Sequence, residues 1–167
     1  MSSKSLPPVL LVEDSPDDIE FARRAFERCD VRNELVVADE GQAALDLLLG
    51  LPGRPMIQPA LILLDLNVPA VSGREVLRRI KQRDDLRAIP VVVFTTSTHP
   101  GDIQACYRLG ANSYHRKPSD FYEYILTIQA ITDYWLKRVI TPPHLGGSAI
   151  SGAAPVARQP QTAGVEE

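Results

Sequence analysis

Three short runs in this chain, VLLV at 9–12, LILL at 61–64 and VVVF at 91–94, contain no polar residue. A strand with one wet face alternates apolar and polar side chains. A continuous apolar run belongs to a strand covered on both faces, as in a parallel sheet flanked by helices. Helical patterns separate the runs, which argues for repeated βαβ units. The pattern predicts strands over 9–14, 34–38, 60–65, 91–95 and 112–116, and helices over 16–29, 41–49, 72–82, 101–109 and 120–139. Ser15 and Pro16 suit an N-cap and a first helical position. Ile19, Ala22 and Phe26 keep helical spacing, as do Ala44, Leu45 and Leu48 in the second helix. The loop GLPGRPMIQP, with three prolines and two glycines, continues neither neighbour.

The residues at the ends of these runs carry the chemistry. Glu13 and Asp14 follow the first strand and Asp65 the third, Thr95 ends the fourth, and Lys117 lies just past the fifth. Strand C-termini of an open parallel sheet converge on one crevice, where ligands bind. Three carboxylates crowded there repel one another, and a hard cation relieves that; Mg²⁺ takes one or two carboxylates together with waters and phosphate oxygens. Asp65 can then attack a phosphoryl group and form an acyl phosphate. Thr95 can donate to one phosphoryl oxygen and Lys117 can place a point charge at another.

The segments VEDS, LLDLNVPAVSG, VVFTTS and SYHRKPS, in that order, resemble the motifs of response-regulator receiver domains of two-component signalling, over roughly residues 8 to 138. The resemblance implies a flavodoxin-like (βα)5 fold, a doubly wound parallel sheet of strand order 2-1-3-4-5. It makes Asp65 the phosphoacceptor and places Glu13 and Asp14 in the acidic pocket, with Asp14 as the direct metal ligand. The backbone carbonyl of Asn67 becomes a further Mg²⁺ ligand, Thr95 and Lys117 the remaining active-site partners, and Tyr114 the aromatic that changes rotamer on phosphorylation. Glu13 stands where many receivers have aspartate, and Thr96 is bulkier than the usual alanine or glycine. The proline-rich loop, Thr95-Thr96-Ser97, ANSYHRKPS and the YW pair late in the last helix also resemble the small single-domain regulators paired with bacterial phytochrome histidine kinases. A sensor histidine kinase, of the bacteriophytochrome type, is the partner this implies.

Other classes fit less well. An Asp-nucleophile phosphohydrolase needs a second acid two residues on, where this chain has Asn67. A flavodoxin-like cofactor carrier would offer phosphate a loop of hydroxyls and glycines after the first strand, whereas EDSPDD repels it. A phosphorylation-independent adaptor on the same fold remains the alternative, and the complete acid, threonine and lysine set argues against it.

The net charge of −3 gives no general attraction to nucleic acid or anionic membrane. MSSKSLPP lacks the apolar core of a signal peptide, and no apolar run approaches the roughly 20 residues that span a bilayer; a cytoplasmic protein is expected. Cys29 and Cys106 lack metal spacing and read as free thiols, and His99, His115 and His144 read as solvated surface residues. The domain organisation expected is a flexible N-terminus over 1–7, a receiver over 8–140 and a disordered tail over 141–167, with no output domain after the last helix. That helix should pack Phe121, Ile125, Ile128 and Trp135 on the sheet. Tyr122, Leu126 and Tyr134 then point elsewhere and suit a homodimer face, since receivers commonly self-associate on this side.

Overall fold

The computed structural model describes residues 6–51 and 56–142. The strands are β1 (Val9–Val12), β2 (Leu35–Ala38), β3 (Leu61–Leu64), β4 (Val91–Thr95) and β5 (Ser113–Arg116). The helices are α1 (Pro16–Arg28), α2 (Gly41–Leu49), α3 (Gly73–Gln82), α4 (Pro100–Arg108) and α5 (Phe121–Lys137). The five strands form one parallel sheet in the order β2-β1-β3-β4-β5, as the resemblance implied.

Because strand side chains alternate between faces, each apolar run serves two cores. Leu10, Val12, Ile62, Leu64, Val91 and Val93 pack with side chains of α2 and α3. Val9, Leu11, Leu61, Leu63, Val92 and Phe94 face the other way, onto α1 and α5. Every residue of β1, β3 and β4 is buried, which is why those three strands could be read from composition alone. Edge strands β2 and β5 are mostly half-buried.

Helix ends follow cap chemistry. Ser15, Ser72 and Asp120 accept the amides of Asp18, Glu75 and Glu123 respectively, each meeting one of the N–H groups a helix start leaves free. The predicted starts at 72 and 120 therefore move in by one residue. His99 Nδ1 accepts the Gly101 amide and starts α4 at Pro100, one residue before expectation. His99 is exposed as expected, while His115 is half-buried rather than solvated, and burial lowers its imidazole pKa. Both cysteines are free; Cys106 is buried and Cys29 half-buried. Residues 1–5 of the expected flexible N-terminus, residues 52–55 of the proline-rich loop, and residues 143–167 of the expected tail, His144 included, lie outside the described residues.

Candidate functional site

Two strands stop one or two residues short of the expected ends, and the shortening builds the site. β1 ends at Val12, but Glu13 still donates its amide to the Ala38 carbonyl at 2.9 Å. β3 ends at Leu64, and the Asp65 amide bonds the Val12 carbonyl at 3.0 Å. Both acids thus sit on strand-like backbone just past the sheet edge. Glu13, Asp14 and Asp65 bring carboxylate oxygens within 4.8 Å of one another, with Asp14 exposed and the other two buried.

The loop after Asp65 is held from several sides. The Asn67 amide donates to Asp65 Oδ1 at 3.1 Å. The Gly41 amide donates to the Pro69 carbonyl, and the Gly73 amide to the Leu66 carbonyl. Ala70 has φ of 63°, a left-handed turn residue without glycine. Gly73 lies so close to the Asp65 backbone that a Cβ there would overlap its carbonyl oxygen.

Lys117 enters from beyond β5. Its amide bonds the Thr95 carbonyl at 2.8 Å, so Thr95 and Lys117 are fixed to each other through the main chain. Its Nζ donates to Asp65 Oδ2 at 2.6 Å, to Asp18 Oδ2 at 2.9 Å and to Glu13 Oε2. Burial alone would lower this ammonium, but its hydrogen bonds and charge pairing with Asp65 and Glu13 outweigh that and hold it well above the ordinary lysine range. Burial pushes the Glu13 carboxyl above its usual range, with Lys117 pulling against it.

Thr95 is fully buried, and its Oγ1 has no hydrogen-bond partner. A buried hydroxyl without a partner costs free energy, and here it ends the strand beside Asp65. The donor set fits the expected ligands: hard oxygen ligands for a divalent cation, and an unpaired hydroxyl with a lysine for a phosphoryl group. Tyr114 is half-buried against the α2/α3-side core and donates its hydroxyl to the Ser97 carbonyl at 3.0 Å. Tyr122, Leu126 and Tyr134 are exposed on α5, as their off-stripe positions predicted.

Three residues of this region had no site role in the sequence reading. Asp18 reads as an ordinary first-turn acid, yet it is the third carboxylate on Lys117; its position one helical turn after Asp14 was the available signal. Tyr124 was left out of the packed stripe, but it is 1% exposed, edge-on to Phe94 and bonded to the Asp18 carbonyl. Ser97 links Tyr114 to α4, its hydroxyl donating to Asp102 at 2.7 Å.

Comparison with known proteins gives the same fold. The family model "response regulator receiver domain" matches residues 9–129. Response regulator Rcp1 of Synechocystis sp. is 40% identical over 147 residues, covering 85% of this chain and 99% of the relative. The crystal structure of its Mn²⁺-bound form superposes with a TM-score of 0.76 at 38% identity, over 83% of this chain and 100% of that one. The phosphorylated cyanobacterial phytochrome response regulator RcpA gives 0.78 at 35% identity, over 82% and 99%. The bacteriophytochrome response regulator AtBRR gives 0.64 at 44% identity, over 78% and 95%.

Proposed function

The chain belongs to the response regulator receiver domain family, and we propose on that premise that Asp65 is the residue it phosphorylates. The observation that carries this is the setting of Asp65: a 6% exposed carboxylate beside a buried lysine, with an unpaired threonine hydroxyl at the next strand end. An Asp65 oxygen attacks the phosphorus of a phosphohistidine on the kinase. The P–N bond breaks, the electron pair stays on the imidazole nitrogen, and that nitrogen is then protonated. Water later attacks the acyl phosphate, releasing inorganic phosphate and restoring the carboxylate. The protein is a signalling protein whose only chemistry is its own transfer and hydrolysis.

Glu13, Asp14 and Asp65, with the Asn67 backbone carbonyl, are the residues that would hold Mg²⁺. When bound, it supplies positive charge between the carboxylates and the phosphoryl oxygens. Lys117 steadies a phosphoryl oxygen, and the Thr95 hydroxyl finds there the acceptor it otherwise lacks. Movement of Thr95 toward the phosphoryl group frees space for Tyr114 to leave its Ser97 carbonyl, which biases the α4–β5–α5 face between two states.

The receiver unit is assigned to residues 8–140. The likeness to the regulators Rcp1, RcpA and AtBRR supports a phytochrome-type histidine kinase as partner. Among the described residues no helix is long and apolar enough to cross a membrane, and a kinase that spends cytoplasmic ATP places its receiver in the cytoplasm. The exposed Tyr122, Leu126 and Tyr134 support a homodimer through α5. The test of the phosphoacceptor is labelling with acetyl phosphate and Mg²⁺, borohydride trapping and peptide mapping. The label maps to Asp65 and disappears in Asp65→Asn; a label that persists in that variant refutes the assignment.

A further inference from the structure

Lys117 carries more acid than its proposed task calls for. Three carboxylates converge on its ammonium, from Glu13, Asp18 and Asp65. Glu13 and Asp65 belong to the cluster that can hold a metal ion, together with Asp14, whereas Asp18 does not. A bound cation therefore offsets the charge of those three acids and leaves Asp18 as the carboxylate on Lys117 that it does not engage. Asp18 is also the least buried of the three, with 28% of its side chain exposed against 2% for Glu13 and 7% for Asp65. It is the one acid on Lys117 that also reaches solvent to a substantial extent, so a charged donor in solution meets its carboxylate as well as the ammonium.

Its placement is built rather than incidental. The Asp18 amide is capped by Ser15 Oγ at 3.4 Å. Its carbonyl accepts the hydroxyl of Tyr124 at 3.3 Å, a hydrogen bond from α5 across 106 positions in sequence. That tyrosine is itself wedged edge-on between Phe21 of α1 and Phe94, the residue before Thr95. The main chain of Asp18 is thus held on both sides, and its carboxylate points at a buried cation.

We infer that Asp18 is a positioning residue for Lys117, one that holds the ammonium with its partly exposed carboxylate and competes for it with the incoming phosphoryl group, slowing transfer to Asp65. The inference rests on Asp65 being the phosphoacceptor. A phosphoryl donor brings about two negative charges, and Asp18 acts on it twice. Its charge repels the donor, and its hydrogen bond engages the lysine the donor needs. Removing the charge while keeping the shape should raise the rate of phosphorylation.

The experiment compares the full chain with Asp18→Asn and Asp18→Glu, using acetyl phosphate and Mg²⁺. At low ionic strength the second-order rate constant should rise about threefold to tenfold in Asp18→Asn, the size expected of one unit charge acting through a water-like dielectric on a nearby dianion. Asp18→Glu should return it to the parent's value, and the gain should shrink as salt is raised toward half-molar. An unchanged or reduced rate in Asp18→Asn overturns the inference, as does a gain that Asp18→Glu shares or that salt leaves untouched. The contact itself is read without any phosphorylation, from the ¹³Cε resonance of Lys117, assigned by its loss in Lys117→Met. A shift in Asp18→Asn is expected, and an unmoved resonance overturns the inference by itself. A parent that acetyl phosphate does not label at Asp65 refutes the phosphoacceptor reading instead, and the resonance still decides whether Asp18 holds Lys117.

Discussion

Gly73→Ala adds one methyl group at the first position of α3, where most surroundings would accept it. Alanine is the better helix former by up to about 1 kcal/mol, so propensity alone predicts a stabilised protein. The backbone of Asp65 predicts the opposite. The added Cβ would overlap the Asp65 carbonyl oxygen, and it would lie 2.7 Å from Leu66 Cα and 2.9 Å from the Asp65 carbonyl carbon. None of these atoms is the movable end of a side chain, so α3 must retreat. Retreat strains the Gly73 amide bond to the Leu66 carbonyl at 3.1 Å, worth about 1 kcal/mol. It also loosens the packing of Val76, Leu77 and Ile80, all fully buried, where overpacking costs about 1–3 kcal/mol. The net expectation is a loss of about 1–3 kcal/mol, measured by urea denaturation followed through Trp135 fluorescence. Gly101→Ala is the control. Its Cβ would meet only the His99 ring, at 3.0 Å from Nδ1; that side chain can yield, and the weakened cap on the Gly101 amide, about 1 kcal/mol, is offset by alanine's helix propensity of up to about 1 kcal/mol, so that variant should stay within about 0.5 kcal/mol of the parent. Phosphorylation by acetyl phosphate should fall in Gly73→Ala and persist in Gly101→Ala. A Gly73→Ala protein as stable as its control would show that the close approach of α3 to Asp65 is not a constraint.

Burial pushes the Lys81 ammonium down to about 8, while an unfolded lysine keeps its proton to about 10.4. The unfolded chain therefore binds more protons between those values, and stability should rise with pH across that window. The Arg87 and Ile89 carbonyls and Asn112 Oδ1 favour the charged form, and the side chain is partly exposed, so the gain relative to Lys81→Met should be only about 1 kcal/mol. Parallel denaturation curves for the two proteins from pH 8 to 10 would exclude it. Thr95→Ala should still take phosphate, yet lose the phosphorylation-dependent change in hydrogen exchange from β4 to α5; a parent-like response would route the switch elsewhere. Sedimentation should show a dimer that Tyr122→Glu/Tyr134→Glu dissociates, and a parent that stays monomeric at high concentration, with and without phosphate, would hand that face to another partner.

The legible part of the fold was the part that burial makes unambiguous. β1, β3 and β4 are covered on both faces, so every residue but the terminal Thr95 is apolar and no other reading competed. α5 was harder because its buried face is wider than the stripe drawn from Phe121, Ile125, Ile128 and Trp135. Tyr124 and Ile131 are more deeply buried than either aromatic end of that stripe. A tyrosine on a helix gives no sign of which way it faces until a partner for its hydroxyl is known. That partner is a backbone carbonyl of α1, which no side-chain pattern displays.

The site divides in the same way, between what residue type declares and what only placement decides. Glu13, Asp65 and Thr95 lie at or just past the ends of buried strands, and Lys117 just past β5; a buried polar group in such a position needs a reason, which made them visible. Asp18 ends nothing: it sits in the first turn of a helix, where an acid is favoured by the helix dipole with no further task. Its ordinary explanation was sufficient, so its second role was hidden. Only the approach of Lys117 from β5, 99 residues later, converts a capping-turn acid into one of three carboxylates on a single buried ammonium. Four acids, Glu13, Asp14, Asp18 and Asp65, then gather about one lysine. Such an excess of negative charge is tolerable because Asp14 and part of Asp18 reach water, and it is the charge that a divalent cation and a phosphoryl group would rearrange. The Lys117 ammonium is thus fully engaged by its three acids, and the transfer proposed for Asp65 would have to include its release from at least one of them.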